Sequence, residues 1–254
     1  MNQRPLIIVK VGTGVLTQDD GNLNLEAINA LSHHIAHLRQ DGYATILVSS
    51  GAVGAGVPIL ELKSYPADIS MRQAAAAVGQ SHLLQRYQEA LTPHGLSVAQ
   101  ILLSSYDLQE ETHRERAKNV LTRLLDHDHI LPIVNENDVV SLRELTKTDN
   151  DMLAATLSGI MKAQTLVLLT SVDGLLDHDQ QVIPTVENVA EASAQFAQDS
   201  SGKFSIGGMK SKLEAVKIAS DQGTQVIIGN GAHPERLRGY LDQSAIGTYF
   251  SSVN

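Results

Sequence analysis

Short apolar runs alternate with stretches in which apolar residues return every three or four positions, and this alternation extends from Leu6 to Phe250. Leu6 to Val9, Thr45 to Val48, Val98 to Leu103, Ile130 to Val134, Leu166 to Leu169 and Gln225 to Ile228 are the runs, rich in Val, Ile and Leu as in strands buried on both faces. Between the first two, Ile28, Leu31, Ile35 and Leu38 recur at helical spacing after a cap at Asn24 and stop near Gly42. Ser70 with Gln73 and Thr112 with Glu115 have the spacing of capping boxes. The first precedes an alanine-rich helix, the second a helix burying Ala117, Val120, Leu121, Leu124 and Leu125. Further helices are predicted over about 152–162 and 209–222, a hairpin or edge strand over 182–186 broken by Pro184, and an edge strand at Thr248 to Phe250. Strands alternating with helices predict an α/β fold, a three-layer αβα sandwich around a mostly parallel sheet with right-handed crossovers.

Polar residues fall where such a fold binds ligands. Lys10, Ser50, Asn135, Thr170 and Asn230 all stand at carboxyl ends of predicted strands, the edge at which open α/β sheets hold small molecules. The run Asn135, Glu136, Asn137, Asp138 follows a buried strand directly, and Asp149, Asn150, Asp151 open the next helix. A single Asn or Asp there is explained by capping. Four in succession after a strand exceed what one turn needs, and they point to the grip on a polar ligand.

Composition narrows the choice. A formal charge of −9 disfavours nucleic acid and anionic membrane as partners, both of which need clustered Lys and Arg. The chain has no cysteine, which removes thiolate metal sites and a cysteine nucleophile. No apolar run approaches membrane-spanning length and no signal-peptide layout precedes Lys10, so a soluble, cytoplasmic protein is expected. At 254 residues, without a low-complexity linker, one large α/β domain or two small ones are possible.

The glycine-rich stretches Lys10 to Gly14 and Gly51 to Gly56 let backbone N–H groups approach an anion. A third, Ile206, Gly207, Gly208, Met209, Lys210, Ser211, Lys212, opens a predicted helix with two lysines in its first turn, which the helix dipole opposes unless an anion is near. Neither a GxxxxGK[ST] loop nor a GxGxxG fingerprint is present. His33 and His37 have helical spacing but lack an HExxH context and read as a solvated face; His127 and His129 read as a polar loop. Lysines, glycines, carboxylates and amides form the inventory for phosphoryl transfer, which depends on positioning and charge neutralisation more than on covalent chemistry.

These stretches, VKVGTGVL at 9–16, SSGAVGAG at 49–56, RQAAAAVGQ at 72–80, AQILLSSYDL at 99–108, LPIVNENDVV at 131–140, TDNDMLA at 148–154 and IGGMKSK at 206–212, resemble the amino acid kinase family, and NEND with RQAAAAVGQ resembles its glutamate 5-kinases. The resemblance runs nearly end to end. It implies the acetylglutamate kinase-like fold in a single domain, with an amino-acid lobe over about 1–160 and a nucleotide lobe over about 161–254. It also implies transfer of the ATP γ-phosphoryl group, with Mg²⁺ bridging the phosphates and no dedicated protein metal site, to the side-chain carboxylate of L-glutamate, as the first step of proline synthesis.

By position, the resemblance makes Lys10, Lys212 and Asp151 catalytic, and Ser50, Gly51, Asp138 and Asn150 substrate-binding. Lys10, Gly12, Thr170, Ser171 and the whole 206–212 turn would hold the nucleotide. Partners implied are a second copy of the chain in a dimer or tetramer, proline as feedback inhibitor, and a glutamyl phosphate reductase. Ser171 stands where the family often has Asp, Ile206 where a small polar residue is common, and 172–181 differs from the usual version. No C-terminal PUA domain, present in many bacterial members, follows before Asn254. Other phosphotransferases of the family, or a non-catalytic amino-acid sensor on the same fold, are the alternatives.

Overall fold

The computed structural model describes residues 4–18, 22–140, 150–189, 192 and 206–251, with the side chains of 206–208 outside that description. Asp149 and the run 141–149 therefore lie outside the described residues.

In chain order the elements are β1 (Leu6–Val11), α1 (Thr13–Leu16), α2 (Leu25–Gln40), β2 (Ala44–Ser49), α3 (Ala52–Ile59), α4 (Ile69–Leu91), β3 (Ser97–Leu103), α5 (Ser105–Gln109), α6 (Glu111–Leu125) and β4 (Ile130–Glu136). They continue with α7 (Asn150–Met161), β5 (Thr165–Thr170), β6 (Thr185–Val186), α8 (Ile206–Asp221), β7 (Gln225–Asn230), α9 (Leu237–Leu241) and β8 (Thr248–Phe250). One eight-stranded sheet has the order β3-β4-β2-β1-β5-β7-β8-β6. Every pairing from β3 to β7 is parallel, β7 with β8 is antiparallel, and β8 with β6 is parallel. Thr248–Phe250, expected at an edge, is one strand in from it, because Thr185 and Val186 pair on its far side.

Alternation along β1 divides the core in two. Leu6 and Ile8 join one apolar cluster with Leu153 and Leu157 of α7 and Leu213 and Val216 of α8. Ile7, Val9 and Val11 join another with Leu31 and Ile35 of α2 and Leu83 and Tyr87 of α4. Side chains on a strand alternate faces, so Lys10 shares the face of Ile8 and is directed toward α7 and α8. The chain leaves β1 for β2 on one side and returns to β5 on the other. The carboxyl ends of these three central strands therefore flank the crevice where strand order reverses, and ligands bind at such a reversal.

Helix caps follow the expectation at one end and depart from it at two. Asn24 accepts from the Ala27 N–H at 3.1 Å and starts α2. Asp68, not Ser70, caps α4 by accepting from Met71 N–H, and Glu110, not Thr112, caps α6 by accepting from His113 N–H. The capping box is Ser104 with Asp107 at α5. Each carboxylate supplies a charge that a hydroxyl lacks, complementing the positive end of the helix. No helix among the described residues is long and apolar enough to cross a membrane.

The candidate active site

A cleft of about 270 Å³ opens at the carboxyl ends of β1, β2, β4 and β5. Its floor is an ion triad. Lys10 Nζ lies 2.6 Å from Asp151 Oδ1, and Lys212 Nζ donates to Asp151 Oδ2 at 2.9 Å. β1 continues through Lys10 to Val11, two residues beyond the predicted run, and this extension buries the lysine stem while its ammonium group reaches the cleft. Asp151 is the second residue of α7, and Lys212 comes from α8, so three elements far apart in sequence converge.

α8 begins at Ile206, three residues earlier than expected, which makes Lys210 its fifth residue and Lys212 its seventh. The dipole acts mainly within the first turn, so the proposed opposition to those lysines does not apply. What holds Lys212 is the carboxylate facing it. Lys210 is exposed outside the cleft lining, Met209 packs partly buried against the core, and Ser211 is half-buried.

Burial alone would raise the Asp151 carboxyl, but the two ammonium groups outweigh it and hold the group below its ordinary value. The folded chain therefore binds this proton less readily than the unfolded one. The resulting stabilisation is complete above the unfolded value near about 3.9 and is lost as pH falls through the depressed folded value. Asp151→Asn leaves the buried Lys10 and the partly buried Lys212 ammonium groups facing each other without a counter-charge and is expected to cost about 3 kcal/mol near neutrality. In urea unfolding series taken from neutral to acid pH, the variant should also lose less further stability in the acid range than the parent. Parallel acid limbs would remove Asp151 as the titrating group.

The cleft's other wall is a buried amide cluster. Asn150 Nδ2 donates to Ser50 Oγ at 3.0 Å, to Asn135 Oδ1 at 2.9 Å and to the Ser49 carbonyl at 3.3 Å, and Asn150 Oδ1 accepts from the Glu136 N–H at 3.1 Å. Asn135 Oδ1 accepts from the same N–H at 2.8 Å. These bonds form because β4 runs two residues past its apolar stretch, through Asn135 and Glu136, and because Asn150 opens α7. Asp138, half-buried, borders the mouth.

Of the residues singled out in the sequence, Lys10, Gly12, Ser50, Gly51, Asp138, Asn150, Asp151, Thr170, Ser171 and Lys212 line this one cleft. Asn230 does not; its Nδ2 donates to Asp173 Oδ1, which Arg236 also holds at 2.6 Å. The stretch Gly51 to Gly56 is not an open loop. Gly51, at φ +101°, starts α3, and Gly56 lies inside that helix where a Cβ would stand 1.9 Å from the Ala75 carbonyl oxygen. Gly56 thus serves helix contact rather than an anion. Tyr65, from the loop after α3, also lines the cleft, and nothing in its sequence surroundings marked it.

A sheet with parallel strands on both sides of β1, a switch-point cleft and paired lysines around a carboxylate define a phosphotransferase-type α/β protein. The chain belongs to the amino acid kinase family, whose model matches residues 5–230. Among curated relatives it is similar to the glutamate 5-kinases of Clostridium acetobutylicum and Clostridium tetani. The first is 39% identical over 254 residues, covering 98% of this chain and 95% of the relative. The second is 38% identical over 253 residues, covering 97% and 94%. The glutamate 5-kinase of Myxococcus xanthus is 41% identical over 250 residues, covering 96% of this chain but 66% of the longer relative. The fold is shared with carbamate kinase from Giardia lamblia bound to AMP-PNP (TM-score 0.70, 14% identity, 99% of both chains). It is also shared with a T. acidophilum isopentenyl phosphate kinase product complex (TM-score 0.65, 16% identity, covering 96% of this chain and 99% of that one).

Proposed function

We propose that the chain transfers the γ-phosphoryl group of ATP to the side-chain carboxylate of L-glutamate, giving L-glutamyl 5-phosphate and ADP. The observation that carries this reading is Asp151 set between Lys10 and Lys212 at the floor of the cleft. In the step, a glutamate carboxylate oxygen bonds to the γ-phosphorus while the bond from that phosphorus to the β–γ bridging oxygen breaks. The bridging oxygen keeps the electron pair and leaves with ADP. The acceptor is already ionised near neutral pH, so no general base is required. Lys10 and Lys212 neutralise charge on the oxygens of the transferring group, and Asp151 fixes both ammonium groups.

The substrate side is assigned to Ser50, Gly51, Asp138 and Asn150, with Asp138 facing the α-ammonium group, and the nucleotide side to Gly12, Thr170, Ser171 and the start of α8. This divides the chain into an amino-acid lobe over about 1–160 and a nucleotide lobe over about 161–254. Among the described residues no group of three His, Asp or Glu side chains could hold a metal ion, and Mg²⁺ is assigned to the phosphates of ATP. A place at the head of proline synthesis in the cytoplasm, proline as inhibitor, a homo-oligomer and hand-over of the labile acyl phosphate to a reductase belong to the same reading.

Acyl-hydroxamate formation with ATP, Mg²⁺ and hydroxylamine tests it. L-Glutamate should give signal above D-glutamate, aspartate, acetylglutamate and a control without acceptor. Glutamate binding by folded protein without turnover would instead identify a sensor on the same fold.

A further inference from the structure

Gln80 lies on α4, buried and outside the cleft lining, yet its Oε1 accepts from Asn135 Nδ2 at 2.6 Å. The direction of every bond in the cluster follows from two backbone groups whose roles are not interchangeable. The Glu136 N–H can only donate, so both amide oxygens, Asn135 Oδ1 and Asn150 Oδ1, face it. The Ser49 carbonyl can only accept, so Asn150 Nδ2 faces that end. Asn135 Nδ2 is then turned toward α4, where only an acceptor satisfies it, and Gln80 Oε1 is that acceptor.

At the other end of the chain Asn150 Nδ2 donates to Ser50 Oγ, and an amide nitrogen cannot accept the serine proton in return. The Ser50 hydroxyl hydrogen is therefore left to donate at the cleft. A donor directed there suits a carboxylate and not an ammonium or an amide N–H.

We propose that Gln80 is a positioning residue which, through Asn135 and Asn150, sets the Ser50 hydroxyl as a hydrogen-bond donor to a carboxylate of the acceptor substrate. The proposal rests on the glutamate kinase reading. Without the Gln80 acceptor, the buried Asn135 amide has an unsatisfied N–H, and turning to satisfy it withdraws Asn135 Oδ1 from Asn150. The nucleotide half of the cleft shares none of these bonds.

The experiment begins with wild-type turnover of L-glutamate, whose absence would overturn the substrate reading and the proposal with it. Given that turnover, Gln80→Met keeps the volume and removes the acceptor, Gln80→Asn keeps the amide but shortens its reach, and Gln80→Glu keeps an acceptor at full length. Met and Asn variants should raise KM for L-glutamate about tenfold with KM for ATP unchanged, and the Glu variant should restore it to within about threefold. In a cycle with Ser50→Ala, Gln80→Met should add little, since the group it acts through is gone. Equal rises in both KM values, or independent effects of Gln80→Met and Ser50→Ala, would overturn the relay while leaving the glutamate reading intact. The Asn variant, polar and smaller, carries the same test if the Met variant does not fold.

Discussion

Lys10→Ala is expected to lower kcat for ATP and L-glutamate by about a thousandfold while the protein still folds. The size follows from the position of the ammonium group, buried beside Asp151 in a cleft whose low dielectric strengthens its action on developing charge. The fold should survive because Asp151 keeps Lys212 at 2.9 Å, so the buried carboxylate remains paired. Lys10→Arg is a stricter comparison. It keeps the charge, but a planar fork on a longer stem cannot take the same place between Asp151 and the cleft. Single-turnover measurements with circular dichroism on both variants check this, and turnover within a few-fold of wild type in folded Lys10→Ala would remove Lys10 from the chemistry.

Gly79→Ala should act on stability instead, by about 3 kcal/mol, lowering Tm by about 10 °C. A Cβ at Gly79 would stand 1.9 Å from the Ala52 carbonyl oxygen and 2.4 Å from the Gly56 nitrogen, all backbone atoms, so no side-chain rotation relieves the overlap. α3 and α4 would have to separate. Because Gly51 and Ala52 at the start of α3 line the cleft and Gln80 follows Gly79 directly, the same displacement should weaken glutamate binding. Gly14→Ala is the control for stability, since nothing lies within 4 Å of the added Cβ. Differential scanning calorimetry of the two variants separates a steric cause from a general intolerance of alanine.

Gly56 and Gly79, which meet where α3 and α4 touch, owe their role to a contact that local sequence does not carry. Both Gly56 and Gly79 stand in stretches that carried the family resemblance, and a glycine-rich run after a strand has an ordinary reading as an anion-binding turn. Local sequence holds no record of α4, whose Ala75 and Gly79 press against that run from further along the chain. The same limit applied to α8. Gly207 and Gly208 are poor helix formers, so the predicted start falls three positions late and sets the lysines one turn too early in the helix. At Asp68 and Glu110 a carboxylate beside a candidate Ser or Thr took the cap, a competition that spacing alone does not resolve.

Strand and helix identity, the parallel sheet and the gathering of Lys10, Ser50, Asn135 and Thr170 at one edge were determined by the sequence itself, because apolar periodicity is local and strand ends in an α/β fold share one side. The pairing of Lys10 and Lys212 with Asp151, the exclusion of Lys210 and Asn230 from the cleft, and the chain of amides from Gln80 to Ser50 were decided only by the tertiary structure. Those relations join residues as much as about two hundred positions apart, and the direction of each bond depends on backbone groups that become donors or acceptors for a side chain only once β4 and α7 have been packed together.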